Sequence, residues 1–351
     1  MRGFAFLDIN KTGWLEKDDP ICGPLDAVIR PTAVAVCSSD THSVHAGGCR
    51  PGTFLGHEAV GVVESVGECV KLFKPGDAVV VPCCTPDWEA PDLQRTGSNN
   101  AHDYHLMGSF KFMLQRDGVF AERFLVNNAD ANLVLRPEGV SAEDALMTVD
   151  MMSTGFHGVE NADIQFGDTV VVFGIGPVGL MSVAAAALRG AGRIFAVGTR
   201  PNCAELARKY GATDIISYKD GDTADQILAA NKGQVDAVVT TVPDTSCMVQ
   251  ALRLTRPGGT ISNIAFMDPA DTYEFSTQLW GLGMSNVSIK CGFCPGGALR
   301  IKKMLELIKN DRIHPGEMLN YQFHGLGAIE EGMRVMDEKP HDLIKPIVYL
   351  D

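Results

Sequence analysis

The amino-acid sequence predicts a two-domain α/β protein, in which a β-rich domain precedes a doubly wound parallel sheet. Before residue 150, short apolar runs alternate with turn signals at regular spacing, which indicates a barrel-like β domain. From 151 to 294, a pattern of strand, glycine turn and helix repeats, as a doubly wound sheet requires. The length of 351 residues suits two domains, each with its own core.

The first domain is predicted to consist mainly of short strands. The segment 27–36 has strand character interrupted by Pro31, and strand character returns at 119–127. Residues 83–118 are polar and irregular, so we expect an inserted lobe there. The run Ser141-Ala-Glu-Asp144 has the form of a capping box and predicts the start of a helix.

The second domain is predicted to contain successive parallel strands joined by helices. After it, we expect a helix at Leu299–Lys309 and a final strand at Lys345–Leu350 that returns to the first domain. We therefore assign residues 1–150, completed by 295–351, to the first domain and residues 151–294 to the second. The predicted parallel strands are Val170–Phe173, Arg193–Val197, Asp214–Ser217, Asp236–Thr240 and Thr260–Asn263.

A glycine-rich turn follows the first strand of the second domain. Gly174-x-Gly176-x-x-Gly179 comes after an apolar run and opens an alanine-rich helical segment, the context of a dinucleotide-binding loop. The first glycine permits a tight turn, the second lets the backbone approach a pyrophosphate, and the third permits close helix packing. The helix N-terminus then offers free N–H groups to the phosphates. The predicted cofactor loop comprises Gly174, Ile175, Gly176, Pro177, Val178 and Gly179.

The composition argues against several classes of partner. A net charge of −13 disfavours nucleic acids and anionic membranes, both of which select basic surfaces. No apolar run is long enough to cross a bilayer, and the first residues lack the layout of a signal peptide. The 10 cysteines are scattered without a disulfide framework. We therefore expect reduced thiols in a cytoplasmic protein.

Three candidate metal ligands, Cys37, His57 and Asp150, are far apart in the sequence, and each stands beside turn or loop signals. Thiolate, imidazole and carboxylate together suit zinc, and three protein ligands leave a fourth position for water or substrate. Glu58 would enter the coordination sphere transiently or lie just behind it. Spacing alone leaves an alternative open, because scattered cysteines and histidines are often simply packed inside a protein.

One stretch carries a resemblance to a known family. Gly56-His57-Glu58-x-x-Gly61-x5-Gly67-x-x-Val70 resembles the zinc signature of the medium-chain alcohol dehydrogenases. The resemblance covers essentially the whole chain and implies a GroES-like β-barrel catalytic domain plus a Rossmann doubly wound parallel-sheet domain. Within the family, the chain resembles the NADP-dependent secondary alcohol dehydrogenases of anaerobic bacteria and protists. The stretches that carry this finer resemblance are Cys37–His42, Thr85–Trp88, Asp150–His157 and Cys294–Gly297.

The resemblance implies roles for the candidate metal residues. Its zinc ligands fall on Cys37, His57 and Asp150, with Glu58 as an exchangeable fourth ligand; aspartate in place of a second cysteine is characteristic of this branch. The alternative for Asp150 is a helix cap or a surface carboxylate.

Two residues near Cys37 are candidates to move the proton. The hydroxyl of Ser39 would bond the substrate oxygen, and His42 would pass the proton to solvent because its pKa suits that role. The resemblance implies the same pair. The alternatives are a turn hydroxyl for Ser39 and a solvated side chain for His42.

The end of the second parallel strand indicates the nicotinamide cofactor. An NAD site expects an acidic residue about 20 positions beyond the glycines, whereas this strand ends Gly198-Thr199-Arg200. A hydroxyl and a guanidinium suit a 2′-phosphate, and Tyr218 would contact the adenine or the phosphate. The alternative for Arg200 is a surface arginine at a helix start. The resemblance adds Ile264, Ala265 and Phe266 near the nicotinamide and Lys339 near the phosphate.

These features predict a zinc-dependent oxidoreductase that transfers hydride between NADP(H) and a small secondary alcohol or ketone, or an aldehyde. The alternatives are a polyol or other medium-chain zinc dehydrogenase, and a non-catalytic NADPH-binding homologue. We expect one catalytic zinc per subunit. We expect no structural zinc, because residues 85–118 lack the four closely spaced cysteines that a structural zinc lobe needs.

The sequence departs from the branch where the substrate pocket is expected. The loop 46–54 is shortened and the segment 98–110 is rewritten, with Phe110 in place of tryptophan and Ala265 in place of asparagine. Cys291-Gly-Phe-Cys294 has redox-motif spacing but not the context of a thioredoxin-like unit, so we expect no disulfide chemistry. The relatives are mostly tetramers, which implies a homotetramer.

Overall fold

The computed structural model describes residues 1–91, 93, 101–102, 105–106, 108–268 and 270–350. It divides into two compact units. The first comprises Met1–Ser153 with Cys294–Asp351, and the second comprises Thr154–Phe293. Within the described residues, no helix is both long enough and apolar enough to span a membrane.

Short strands dominate the first part of the chain, and strands alternate with helices from residue 169 to residue 263. Up to residue 161 the elements are β1 (Arg2–Asp8), β2 (Lys11–Glu16), β3 (Ala27–Ala35), α1 (Ser38–Ala46), β4 (Glu58–Val66), β5 (Ala78–Val81), β6 (Ala101–His102), β7 (His105–Leu106), β8 (Phe124–Val126), α2 (Ala129–Asn132), β9 (Val134–Leu135), α3 (Ala142–Met147), a π-helical turn (Thr148–Met152) and α4 (Ser153–Asn161). They continue with β10 (Thr169–Phe173), α5 (Pro177–Leu188), β11 (Arg193–Val197), α6 (Pro201–Lys209), β12 (Asp214–Ile216), α7 (Thr223–Asn231), β13 (Val235–Thr240), α8 (Thr245–Leu254), β14 (Thr255–Asn263) and β15 (Ser288–Cys291). The last elements are α9 (Ala298–Lys309), β16 (Leu319–His324), α10 (Ile329–Glu338) and β17 (Lys345–Tyr349), with 3-10 turns at Gly281–Gly283, Pro315–Met318 and Leu326–Ala328.

Strand β3 is the centre of the sheet in the first unit, because β4, β8 and β17 all pair with it in antiparallel fashion. The described strands of this sheet number seven, in the order β16-β17-β3-β4-β5-β9, with β8 beside β3. The register of β3 shifts at Pro31, which has no N–H to donate, so the predicted interruption is confirmed. The core contains the fully buried rings of Phe4, Phe120 and Phe124.

The second unit contains a parallel sheet of six described strands in the order β12-β11-β10-β13-β14-β15. Every pairing in it is parallel, and β10 is an unbroken β-branched and aromatic run with four buried residues, as expected of a strand covered on both faces. The chain moves outward from β10 in one direction and from β13 in the other. The predicted doubly wound sheet is therefore confirmed, and its strand order reverses between β10 and β13.

Two predictions about local structure are wrong. Asp150 does not stand beside a loop, because it lies inside the π-helical turn that joins α3 to α4. The predicted polar lobe at 83–118 is also wrong at its C-terminal end, where Phe110, Phe112 and Met113 are buried in the first unit. The rewritten segment 98–110 falls partly outside the described residues, at 98–100, 103–104 and 107.

The predicted helix start at Ser141 is confirmed, since its hydroxyl accepts the N–H of Asp144 at 3.0 Å.

Candidate metal and nucleotide sites

The first turn of α1 brings two parts of the first unit together through Asp40. Cys37 is the N-cap of α1, and its N–H donates to Oδ2 of Asp40 at 2.8 Å. The other carboxylate oxygen, Oδ1, lies 3.0 Å from Nδ1 of His57, and both side chains are buried. A carboxylate only accepts, so Nδ1 donates, and in the neutral ring Nε2 keeps a lone pair for a metal ion. Asp40 thereby fixes the ring of His57 in the orientation that a metal ligand needs.

Three other possible metal ligands lie around the Nε2 atom of His57. One ligand atom from each of Cys37, His57, Glu58 and Asp150 lies within 4.8 Å of all the others. The Nε2 atom is 3.4 Å from Oδ2 of Asp150 and 3.8 Å from Oε1 of Glu58. Glu58 is the first residue of β4, and the π-helical turn carries Asp150 to the same point. π-turns of this kind are frequent at functional sites.

The electrostatics of this cluster favour a cation. Burial alone would lower the pKa of His57, but the charge of Asp40 and hydrogen bonds to Asp150 and Asp40 raise it well above its ordinary value. Burial raises the pKa of Glu58 to about 7, against the opposing effect of Lys345. The Oε2 atom of Glu58 is buried with no hydrogen-bond partner among the described residues. A buried carboxylate oxygen without a partner, among sulfur, nitrogen and oxygen ligands, fits a zinc ion.

Lys345 is part of this site, and the sequence motifs did not point to it. Its ammonium is fully buried and donates to Oε1 of Glu58 at 2.7 Å and to the carbonyl of Val36 at 3.2 Å. Burial would lower the pKa of Lys345, but Glu58, followed by Cys37, raises it, so the side chain stays charged. The sequence did hold one sign of this role, which is a lysine at the start of an otherwise apolar strand. Lysine is almost never fully buried without a partner, so such a residue points to a buried ion pair.

The two predicted proton-relay residues both lie on α1. The Oγ atom of Ser39 is 3.4 Å from Nε2 of His57, so the structure brings this hydroxyl to the edge of the ring that points into the cluster. His42 is exposed one turn further along α1. Its pKa is lowered by partial burial of the ring and then by the positive charge of Lys339, which follows α10. Lys339 thus acts electrostatically on His42 within the first unit.

The glycine loop of the second unit has the geometry that a nucleotide-binding turn requires. Gly174 follows β10 with φ of +92°, a conformation that favours glycine. Gly176 is the N-cap of α5, and Pro177 and Val178 begin that helix. A Cβ on Gly179 would lie 1.9 Å from the carbonyl oxygen of Gly174, so only glycine permits this approach of helix and turn. The helix α5 therefore begins directly at the glycine turn, where the N–H groups of its first turn would bind a phosphate.

The residues predicted for the 2′-phosphate gather beside this loop. Gly198, after β11, packs so closely on Ile175 that a Cβ there would lie 2.1 Å from its Cγ1. The hydroxyl of Thr199 donates to Oη of Tyr218 at 3.1 Å. Arg200 is the N-cap of α6, and its Nη2 would lie 3.8 Å from a Cβ on Gly176. A guanidinium and two hydroxyls next to a helix N-terminus form a site for an anion.

The residues predicted for the nicotinamide follow β14, at the edge of the parallel sheet where the strands have their carboxyl ends. The N–H of Ile264 donates to the carbonyl of Thr240 at 3.0 Å, and the amide of Asn263 donates to the carbonyl of Ala265 at 2.9 Å. Phe266 is 67% exposed. The carboxyl edge of such a sheet is where cofactors bind, near the point where the strand order reverses.

Two family models match the chain. The model described as alcohol dehydrogenase GroES-like domain matches residues 23–138, and the one described as zinc-binding dehydrogenase matches residues 177–310. The solved structure of the alcohol dehydrogenase TADH from Thermus sp. ATN1 is similar to the whole chain, with a TM-score of 0.89, 29% identity and 100% of both chains covered. The predicted fold, a GroES-like domain plus a Rossmann-type parallel sheet, is thereby confirmed.

Full-length relatives identify the family. The chain is 48% identical to the NADP-dependent isopropanol dehydrogenase of Thermoanaerobacter brockii, with 100% of both sequences covered. It is also 48% identical to the NADP-dependent isopropanol dehydrogenase of Entamoeba histolytica, over 99% of this chain and 95% of the relative. The chain belongs to the zinc-dependent medium-chain alcohol dehydrogenase family.

Proposed function

We propose that this alcohol dehydrogenase transfers hydride between NADP(H) and small secondary alcohols or ketones. The observation that carries the proposal is the partly buried cluster in which Asp40 holds Cys37 and orients His57 toward Glu58 and Asp150. The names of the full-length relatives, NADP-dependent isopropanol dehydrogenases, support the same cofactor and substrate class.

The metal-holding residues are proposed as Cys37, His57 and Asp150, with Glu58 as an exchangeable ligand. When bound, zinc supplies a Lewis acid for the substrate oxygen and NADP(H) supplies or accepts the hydride. Lys345 partly neutralises the charge of Glu58, because its ammonium is only 2.7 Å from Oε1. The proposal assigns one zinc ion to this site.

The proton is proposed to leave through Ser39 and His42. The support is that the Ser39 hydroxyl lies 3.4 Å from His57 Nε2, so it would be within reach of an alcohol oxygen bound beside that atom. His42 then carries the proton to solvent, because its lowered pKa keeps the imidazole neutral and able to accept at neutral pH. A neutral, exposed imidazole exchanges protons readily with water.

NADP(H) binding is proposed for the second unit. The glycine loop 174–179 would take the pyrophosphate, and Gly198, Thr199, Arg200 and Tyr218 would take the 2′-phosphate end. Ile264, Ala265 and Phe266 would contact the nicotinamide. Lys339 would contact the cofactor phosphate, and this assignment rests on the family resemblance. In the structure its charge lowers the pKa of His42.

Metal analysis combined with cofactor reduction tests the proposal. Purified protein is assayed for zinc and for 2-propanol-dependent reduction of NADP and of NAD, alongside a panel of polyols. We expect zinc in the protein and faster turnover with NADP and 2-propanol. Bound cofactor without zinc or turnover would favour a non-catalytic homologue, and faster turnover of polyols would favour the other dehydrogenase class.

The proposed homotetramer has support at one edge of the second unit. Strand β15 ends the parallel sheet, and all four of its residues are exposed. Trp280, Leu282 and Met284, just before it, are also exposed. An exposed edge strand with apolar neighbours pairs readily with its symmetry mate in a homodimer, and a second interface would complete a tetramer. Light scattering measures the oligomeric state. The variant Ile289→Lys, which places a charge on β15, should yield smaller oligomers than the wild type.

A cytoplasmic location is also proposed. The support is the cysteine chemistry, because no disulfide joins any of the 10 cysteines, all of which are described, and thiols persist in a reducing compartment. Fractionation of the source cells would test it.

A further inference from the structure

A second group of soft ligands lies in the first unit, outside the proposed catalytic cluster. Cys83 and Cys84 follow β5, and Cys294 lies 211 positions after Cys83. The Sγ atom of Cys294 is 3.5 Å from the Sγ atom of Cys83 and 3.9 Å from that of Cys84. The Sγ atoms of Cys83 and Cys84 are 3.9 Å apart. All three residues are buried, with exposures of 0 to 1%.

The backbone fixes the positions of these three sulfur atoms. The N–H of Cys83 donates to the carbonyl of Val149 at 3.3 Å, and the N–H of Gly297 donates to the carbonyl of Cys84 at 3.3 Å. The second of these bonds joins the turn after β5 to the turn that contains Cys294. The hydroxyl of Ser153 further binds the carbonyl of Pro295 at 3.3 Å. The sulfur triangle is therefore held before any ligand arrives.

The spacing of the sulfurs matches the coordination sphere of a thiophilic ion. A tetrahedral zinc ion with Zn–S bonds of about 2.3 Å separates its sulfur ligands by roughly 3.8 Å. The observed separations of 3.5, 3.9 and 3.9 Å lie on both sides of that value. Soft thiolates prefer zinc and similar ions over magnesium or calcium.

We propose that Cys83, Cys84 and Cys294 form a second metal site, which binds a zinc ion through three thiolates with a water molecule as fourth ligand. Binding replaces three S–H bonds by three Zn–S bonds and releases the protons to solvent. No residue of this site belongs to the cluster of Cys37, His57, Glu58 and Asp150. A zinc ion at the three cysteines would make two per chain instead of the single ion expected from the sequence. The dehydrogenase proposal does not rest on this second ion.

Cadmium, which binds thiolates as zinc does and gives an ultraviolet charge-transfer absorption, is the probe. The reduced full-length protein is stripped of metal and titrated anaerobically with Cd²⁺, and bound metal is counted by elemental analysis. We expect about two ions per chain, with about three quarters of the cadmium–thiolate absorption arising from the three-cysteine site and the rest from Cys37. Native mass spectrometry with zinc should show the same number of ions.

Variants assign each ion to its site. Cys294→Ser should lose one ion and most of the absorption, and Cys294→Ala should do the same if the serine disturbs the core. Cys37→Ser should lose the other ion and keep most of the absorption. Cys203→Ser, which alters a buried cysteine of the second unit, is the matched control and should change neither. One ion per chain in the wild type, lost only in Cys37→Ser, would overturn the second site whether or not the enzyme turns over 2-propanol.

Discussion

Asp40 binds both His57 and the backbone of Cys37, so a single carboxylate sets the positions of two candidate metal ligands. The Oδ1–Nδ1 distance to His57 is 3.0 Å, and the Oδ2–N distance to Cys37 is 2.8 Å. A partner of this kind fixes the tautomer of the imidazole and increases its basicity. The first turn of α1 is therefore part of the metal site, although the helix residues themselves supply no ligand.

Replacing Asp40 should weaken metal binding. In Asp40→Asn the amide keeps the size of the side chain but loses the charge that supports the His57 N–H, so we expect zinc affinity to fall about 10- to 100-fold. Competition with a chromogenic chelator measures this affinity. Asp18→Asn, at an exposed position before β3, is the control. Equal zinc affinity in Asp40→Asn and wild type would mean that Asp40 serves only to cap α1.

Removing Lys345 should destabilise the first unit. In Lys345→Met, Glu58 becomes a buried charge that has lost its partner, which costs about 3 to 5 kcal/mol of unfolding free energy. Urea unfolding of the metal-free protein measures the loss. The double variant Lys345→Met/Glu58→Gln removes both charges and should recover part of the stability. If the double variant is no more stable than Lys345→Met, the ion pair is not the cause.

The pH dependence of alcohol oxidation should report His42. The positive charge of Lys339 contributes to the lowered pKa of His42, so in Lys339→Met the imidazolium becomes less unfavourable and the pKa rises. A base must be neutral to accept the proton, so the acid limb of kcat/KM should move to higher pH. Lys339→Arg keeps the charge and should keep the limb in place. A higher KM for NADP without a shifted limb would instead assign Lys339 to the cofactor phosphate.

Arg200 should determine the preference for NADP. Loss of its charge-assisted hydrogen bonds in Arg200→Ala should cost about 1.5 to 3 kcal/mol, which is roughly a 10- to 150-fold rise in KM for NADP, with little change for NAD. Steady-state kinetics with both cofactors measure the effect. Arg208→Ala, in the last turn of the same helix, is the matched control. Equal losses with both cofactors would argue against a contact to the 2′-phosphate.

The parallel sheet was predictable from the sequence because its signal is local. Strands such as β10 are continuous runs of β-branched residues, and the glycine loop that follows has a pattern set by backbone conformation. Sequence also indicated Cys37, His57 and Asp150, but only as scattered residues, and the family resemblance joined them. The π-helical turn gave no such signal, because it differs from an α-helix by its hydrogen bonding and not by its residue types.

The remaining site residues depend on contacts between distant parts of the chain. Asp40 and His57 are 17 positions apart, and Glu58 and Lys345 are 287 apart, so no motif spacing relates them. The three-cysteine group shows the same limit. A search for closely spaced cysteines after Cys84 could not include Cys294, which reaches the group only through the return of the chain to the first unit.

The π-helical turn at Thr148–Met152 makes the metal site sensitive to a change in chain length. A π-turn contains one residue more than the α-helical path it replaces. Deleting one residue within 148–149 would allow α3 and α4 to join as one regular helix, while turning Asp150 by about 100° relative to α3. We expect that change to take the carboxylate away from the Nε2 atom of His57. The loss of one codon is thus expected to cost the site one of its metal ligands.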